Sequence, residues 1–136
     1  MEQTEKYRHK LADLKKAVDS LGEALKVNLF SFTEEISDLI RNGQIQKFEY
    51  CSELLWKTVK TALEEKNGFV ATAPKNVYRG LFQNGYIDEL ECEKLILMVD
   101  DRNLLSHLYS ENYYEKIHKR LPEHLNLMKS IIAKIA

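Results

Sequence analysis

Six apolar residues near the start of the chain, Tyr7, Leu11, Leu14, Val18, Leu21 and Leu25, are separated by alternating steps of four and three. Such steps track the 3.6-residue turn of an α-helix and lay the side chains along one stripe. The spacing predicts helix one from about Glu5 to Asn28. Little in the rest of the chain interrupts the same rhythm. Five Gly and two Pro in 136 residues are under half the usual share of about 12%, which favours long helices over a turn-rich β fold.

After Phe30-Ser31-Phe32, Thr33 is placed to cap a short piece carrying Ile36, Leu39 and Ile40, which Arg41-Asn42-Gly43 is expected to break or bend. A second long helix then starts near Gln44, with Phe48, Cys51, Leu55, Val59 and Ala62 as its inner face and a glycine stop at Gly68. Pro74 suits the first turn of a short helix reaching Phe82, and Asn84-Gly85 marks a tight turn. Asp88 and Glu91 form a capping box, flanked by Ile87 and Cys92 at the spacing of a hydrophobic staple. Helix four should run from Glu89 to about Tyr109. The last helix, from about Asn112 to Lys134, carries Ile117, Leu121, Leu125, Met128 and Ile132, with Pro122 expected to bend it. No repeat or linker divides the chain, so residues 1–136 read as one domain. Short loops make successive helices antiparallel neighbours. The expected fold is all-α, an up-and-down bundle of four long helices plus one or two short ones.

Composition narrows the function classes. A chain of this length buries enough surface to need no disulfide staple, and Cys51 and Cys92, far apart and without metal-like partners, suit a reducing, cytoplasmic compartment. A net charge of -1 lacks the basic excess of a duplex-DNA binder, leaving nucleic acid only a local patch. The longest apolar run, Leu95 to Val99, is far short of a membrane span, and the charged start of the chain does not read as a signal peptide. Gly80 and Gly85 have P-loop spacing, but Tyr86 stands where the phosphate-binding Lys belongs. Di-iron bundles need Glu-x-x-His on two helices, and only Glu115 and His118 offer it. No metal and no cofactor are expected.

Two polar patches remain. At the end of helix four, Arg102, Ser106 and Tyr109 fall within an arc of about 60°, with Asn103 and His107 one ridge to the side. The bland interpretation is a solvated surface with Arg102 paired to nearby acids; residues 86–101 hold six acids and one base. On helix two, Glu49, Glu53, Trp56 and Lys60 share a stripe about 100° from the Phe48 face, and Glu53 and Lys57 are spaced as an i,i+4 pair. Trp56, the only tryptophan, serves either core packing or a partner interface, since interfaces select aromatic anchors rimmed by charge.

Together the patches resemble a known family. Residues 46–58, with Phe48-Glu49 followed by Glu53-Leu54-Leu55-Trp56-Lys57, are similar to the Phe-Glu then Glu-Leu-x-Trp-Lys signature of the nucleotidyltransferase substrate-binding proteins, a branch of the HEPN superfamily. Residues 101–109, with Arg102-Asn103, Ser106-His107 and Tyr109, resemble its Arg-Asn-x-x-Ser-His-x-Tyr block. Gly85-Tyr86-Ile87-Asp88 resembles its Gly-Leu-Ile-Asp element, and the likeness spans residues 5 to 133. The chain departs from the pattern at Leu105 and Leu108, where Thr is common, and at Tyr86.

The resemblance implies an antiparallel bundle that forms a homodimer and pairs with a separately encoded minimal nucleotidyltransferase, often as toxin and antitoxin. Glu49, Glu53, Trp56, Lys57 and Ser106 would then form a partner or substrate surface. It also implies an alternative, a metal-independent endoribonuclease in which Arg102 and His107 are catalytic, Asn103 supports them, and AMP transfer to Tyr109 silences the site. RNA is the substrate in that alternative.

Overall fold

The structure, a computed structural model, describes residues 3–107 and 111–136, the side chains of His107 and Glu111 excepted. Its elements are α1 (Glu5–Leu25), a 3-10 turn (Leu29–Ser31), α2 (Glu34–Asn67), α3 (Pro74–Gln83), α4 (Glu89–His107) and α5 (Glu111–Ile135). Side chains mark most helix starts. Thr4 Oγ1 accepts from Tyr7 N at 3.1 Å, and Thr33 Oγ1 accepts from Ile36 N at 3.4 Å. At α4 the expected capping box is reciprocal: Glu91 N donates to Asp88 Oδ1 at 2.8 Å and Asp88 N to Glu91 Oε1 at 3.3 Å. Gly68, at φ 64°, ends α2 in the left-handed conformation, with its own N–H and that of Phe69 closing on Glu64 and Leu63 carbonyls.

One apolar cluster draws on all five α-helices, with Tyr7, Leu14, Leu21, Phe48, Leu55, Val77, Leu81, Leu95, Met98, Ile117, Leu121 and Met128 fully enclosed. α2 lies against every other helix and forms the spine. Cys51 and Cys92 are both buried free thiols, and Ile87 and Cys92, the two residues at staple spacing, both belong to that cluster. Far along the chain, Tyr7 Oη and Lys66 Nζ both donate to the Ile135 carbonyl, so the end of α5 is tied to α1 and α2.

Two expected boundaries move. Helix one stops at Leu25, because the Asn28 side chain caps the 3-10 turn by accepting from Phe30 N at 3.0 Å. The expected break at Arg41-Asn42-Gly43 does not occur, and α2 runs unbroken for 34 residues. A mid-helix glycine costs only about 1 kcal/mol, and three tertiary bonds brace this stretch. Ser37 Oγ donates to Leu29 O at 2.6 Å, Gln44 Nε2 to Ala24 O at 2.8 Å, and Tyr114 Oη to Asn42 Oδ1 at 2.5 Å. α5 likewise continues through Pro122. The expected extension of helix four to Tyr109 lies outside the described residues.

Two helical glycines, Gly43 of α2 and Gly80 of α3, have opposite surroundings. A Cβ at Gly43 would meet nothing within 4 Å, whereas one at Gly80 would come within 2.2 Å of the Phe69 ring. Gly43→Ala is therefore expected to stabilise the fold by up to about 1 kcal/mol. Gly80→Ala should destabilise it by about 1–3 kcal/mol through overpacking. Urea unfolding of both variants checks the pair, and equal shifts of the same sign would contradict the packing.

Candidate functional site

The polar end of α4 is set in place from below by its neighbour in sequence. Asp101 is 1% exposed, and its carboxylate takes a two-pronged bond from Arg120 of α5, Nε to Oδ2 at 2.9 Å and Nη2 to Oδ1 at 2.7 Å. His124 Nε2, one turn further along α5, lies 2.7 Å from Oδ2, and its ring stacks on Phe48 of α2 at 5.2 Å. Burial alone would raise the Asp101 carboxyl, but the bonds to His124 and Arg120 outweigh it and hold the carboxyl below its ordinary value. A second ion pair, Lys75 Nζ to Asp100 Oδ1 at 2.6 Å, ties α3 to the same stretch of α4. With Glu91 bridged to Lys134, three of the six acids in residues 86–101 clamp α4 to its neighbours. That acidic stretch is therefore no simple solvated face.

With Asp101 turned toward α5, Arg102 lies about 100° round α4, and its charge acts on Glu53 of α2. It stands four residues after Met98 and seven after Leu95, both enclosed, so its stem follows the inward face of the helix. The residue is half-buried, with Nε enclosed, while Nη1 donates to the exposed Ser106 Oγ at 2.7 Å. α2 brings Glu53 and Trp56 to this place. The Trp56 indole is half-buried against the core, and its N–H faces the Glu53 carboxylate without closing a well-formed hydrogen bond. Burial works to raise the Glu53 carboxyl. The bond from Lys57, the nearby Trp56 indole N–H and the charges of Lys57 and Arg102 prevail and keep it low.

Two signature blocks some fifty residues apart thus form one locus, with Glu53 and Trp56 on α2 and Arg102 and Ser106 on α4. The Glu53–Lys57 pair closes at 3.1 Å, as its spacing suggested. Glu49 is half-buried one turn before Glu53, and Asn103 is exposed beside Arg102. His107 is the last residue of α4, its side chain outside the described residues, and Tyr109 lies outside them entirely. Sequence reading missed Tyr78 of α3, fully enclosed near Glu53, and the whole Asp101–Arg120–His124 clamp. The signal for the clamp was present in α5: Arg120 and His124 are spaced i,i+4 beside the apolar stripe residues Leu121 and Leu125.

A second polar groove, about 640 Å³, opens between the first turns of α2 and α5 and is lined by Asp38, Arg41, Asn42, Tyr114, His118 and Lys119 among others. His118 Nε2 lies 2.6 Å from Gln44 Oε1; burial first, and the Arg41 charge second, lower its pKa. Among the described residues, no group of three His, Cys, Asp or Glu could hold a metal ion.

The model of the family described as nucleotidyltransferase substrate binding protein like matches residues 7–136. The chain belongs to this family. A Thermus thermophilus protein of solved structure is 34% identical, with a TM-score of 0.78 over 90% of this chain and 98% of that one. A Haemophilus influenzae protein, described as having the fold of a substrate binding domain of a nucleotidyltransferase, superimposes with a TM-score of 0.78 at 22% identity, over 92% of this chain and 98% of its own. A tri-AMPylated Shewanella oneidensis HEPN toxin, solved in complex with MNT antitoxin, also gives 0.78 at 17% identity, covering 98% of each chain. These likenesses share the HEPN-like helical fold. No curated protein shows a significant match in sequence. Within the family's block, the clamp residue Asp101 directly precedes Arg102.

Removing that carboxylate leaves the buried His124 and the part-exposed Arg120 without their partner, so Asp101→Ala should cost about 3 kcal/mol, the low end for breaking a buried pair. The pH dependence has a definite sign. Because the folded-state pKa is lowered, the stabilisation is fully present above the unfolded value of about 3.9 and is lost as pH falls through the folded value. Urea midpoints of the wild type should therefore drop on acidification below about pH 4 more steeply than those of Asp101→Ala. Parallel profiles would remove Asp101 from this role.

Proposed function

We propose that this chain is the HEPN partner, or substrate-binding subunit, of a separately encoded minimal nucleotidyltransferase, and one half of a toxin–antitoxin pair. The observation that carries this reading is the meeting of the α2 and α4 signature blocks at one surface, within a chain that matches its family along nearly its whole length. A toxin–antitoxin complex containing an MNT partner is what the Shewanella relative forms. The surface has the make-up of a docking site: an aromatic anchor, Trp56, set among the charges of Glu49, Glu53 and Lys57.

Homodimerisation through α4 belongs to the same proposal. Leu90 and Leu97, seven residues apart, are 58% and 42% exposed, and Leu104 follows at the same interval half-buried. α4 thus carries apolar side chains on its outer as well as its inner face, the pattern of a helix covered on both sides. A two-fold axis beside this row would bring two α4 ends together. Alone, the chain should sediment as a dimer at micromolar concentration. Co-expressed with a minimal nucleotidyltransferase it should elute as a stable complex, and Lys57→Glu should weaken that complex at least about tenfold, near 1.4 kcal/mol. A monomer that never co-elutes would overturn the reading.

The alternative reading, a metal-independent ribonuclease, draws support from the half-buried guanidinium of Arg102, whose Nη1 reaches outward to Ser106 at the helix end that carries His107. Cleavage of RNA by its own 2′-OH needs a base to take the hydroxyl proton, an acid to protonate the leaving 5′-oxygen, and a cation beside the phosphorane. Arg102 supplies the cation, and His107 from each protomer supplies base and acid, with Asn103 in support. Silencing by AMP would use the Tyr109 phenol, whose oxygen attacks the α-phosphorus of ATP and releases pyrophosphate. If this reading holds, cleavage survives EDTA and falls at least about 10²-fold in both Arg102→Ala and His107→Ala. Tyr109→Phe keeps cleavage but takes no adduct from partner and ATP, as mass spectrometry would read. Cleavage by His107→Ala at the wild-type rate leaves only the binding subunit.

A further inference from the structure

Besides the inner stripe that seats α2 in the bundle, the first half of this helix carries a second one. Ile36, Leu39, Gly43, Gln46 and Tyr50 follow at steps of three, four, three and four. At about 100° per residue they share an arc of about 80°, on the side turned away from the buried Ser37 and Phe48. This outer stripe lies in water. Leu39 is 71% exposed, Tyr50 60% and Ile36 45%, and Phe32, at the same spacing just before the cap, is 45% exposed. None of the five is charged, and Lys47 at one edge is drawn toward α1 by its bond to Ser20 Oγ at 2.7 Å. Apolar surface gathered in this way marks a face that another surface covers.

Gly43 stands at the middle of the stripe. A glycine inside a helix costs about 1 kcal/mol relative to alanine, and nothing within the chain calls for one here, since a Cβ would meet nothing within 4 Å and the backbone is regular helix. What a bare backbone offers is close approach by another backbone.

We propose that this outer face of α2 is a contact between two copies of the chain, packed antiparallel about a two-fold axis at Gly43. The spacing favours a second copy over a foreign helix. Ile36 and Tyr50 each stand seven residues from Gly43, with Leu39 four before it and Gln46 three after. Turned over on itself, the face sets Ile36 of one copy against Tyr50 of the other, Leu39 against Gln46 and the stem of Lys47, and glycine against glycine at the closest point. Ile36 then meets the groove of about 400 Å³ that Lys47 and Tyr50 form with Asp13, Lys16, Ala17 and Ser20 of α1. Foreign partners are selected largely by charge, and the seam offers none; the same lack removes repulsion between copies. The exposed apolar area is about 500 Å² per copy, or about 1,000 Å² in all, the lower edge of specific interfaces. The contact should therefore fill at concentrations on the order of 100 µM, above the micromolar range of the α4 contact. One contact lies on α2 and the other on α4, and neither needs the other.

A cysteine at the axis tests this, because Cys51 and Cys92 are buried and the new side chain has room. In the whole chain at about 100 µM, with air and copper phenanthroline as oxidant, Gly43→Cys should form disulfide-linked dimers at least about tenfold faster than Asp38→Cys. The latter thiol stands about 140° round the helix from the axis. Adding Leu39→Glu brings two carboxylates into the seam and should slow the linkage at least about tenfold, whereas adding Leu97→Glu on α4 should leave it unchanged. Without any added cysteine, the sedimenting mass of the wild type should still be rising above about 100 µM, a rise that Leu39→Glu removes. The proposal is overturned if Gly43→Cys links no faster than Asp38→Cys, if Leu39→Glu leaves the linkage as it is, or if Leu97→Glu abolishes it and so assigns the contact to α4. Linkage that appears only after a foreign protein is added overturns it as well. Should Gly43→Cys fail to fold, sedimentation decides alone, and a mass that does not rise, or rises equally in Leu39→Glu, contradicts the contact.

Discussion

A carboxylate that is almost wholly withdrawn from water has to be matched, and the way Asp101 is matched determines how α4 sits in the bundle. An ion of this size loses several kcal/mol of solvation on burial. Only a well-aligned set of partners offsets that, and the fork of Arg120 with the imidazole of His124 provides one. Both partners lie on α5, and His124 is itself wedged against Phe48 of α2. Hydrophobic burial tolerates modest rotation of a helix about its axis, because one leucine can replace another in a groove. A bidentate ion pair does not. The rotation of α4 is fixed at Asp101, and Arg102, the next residue and about 100° round, is brought to the α2 side, where its charge acts on Glu53.

The functional surface follows from that geometry. Glu53 and Trp56 reach it because α2 is continuous through Gly43 and lies against every other helix. Lys75 and Asp100 hold α3 at the same end, which keeps the enclosed Tyr78 under Glu53. This polar end of α4 is thus braced by ion pairs to both α3 and α5. Such bracing presents charged groups with little reordering on binding.

Much of this was legible in the sequence. The four-and-three stripes located α1, α5 and the later part of α2 with their inner faces, and the Asp88–Glu91 box fixed the start of α4, because caps and periodicity are local. The two signature blocks supplied the candidate residues Glu53, Trp56, Arg102 and Ser106. Their meeting in space was not visible in spacing, since it depends on how α2 and α4 pack. Gly43 misled because local breaker strength says nothing of Gln44, Asn42 and Ser37, whose bonds reach the Ala24 carbonyl, Tyr114 and the Leu29 carbonyl. Asp101 was concealed in a run of acids that looked like a solvated face. Its partners stand nineteen and twenty-three residues away, beyond the reach of any local pattern.

The central claim is that the Asp101 clamp orients the surface formed by Arg102, Glu53 and Trp56, a surface about 100° round α4 from the clamp itself. The most direct measurement is the Trp56 signal in Asp101→Asn, which keeps the shape of the side chain and removes its charge. With the helical far-ultraviolet spectrum retained, the account expects the Trp56 near-ultraviolet band and indole N–H shift to move toward those of Arg102→Ala, as α4 turns and Arg102 leaves Glu53. A folded Asp101→Asn protein whose Trp56 signals match the wild type would contradict it.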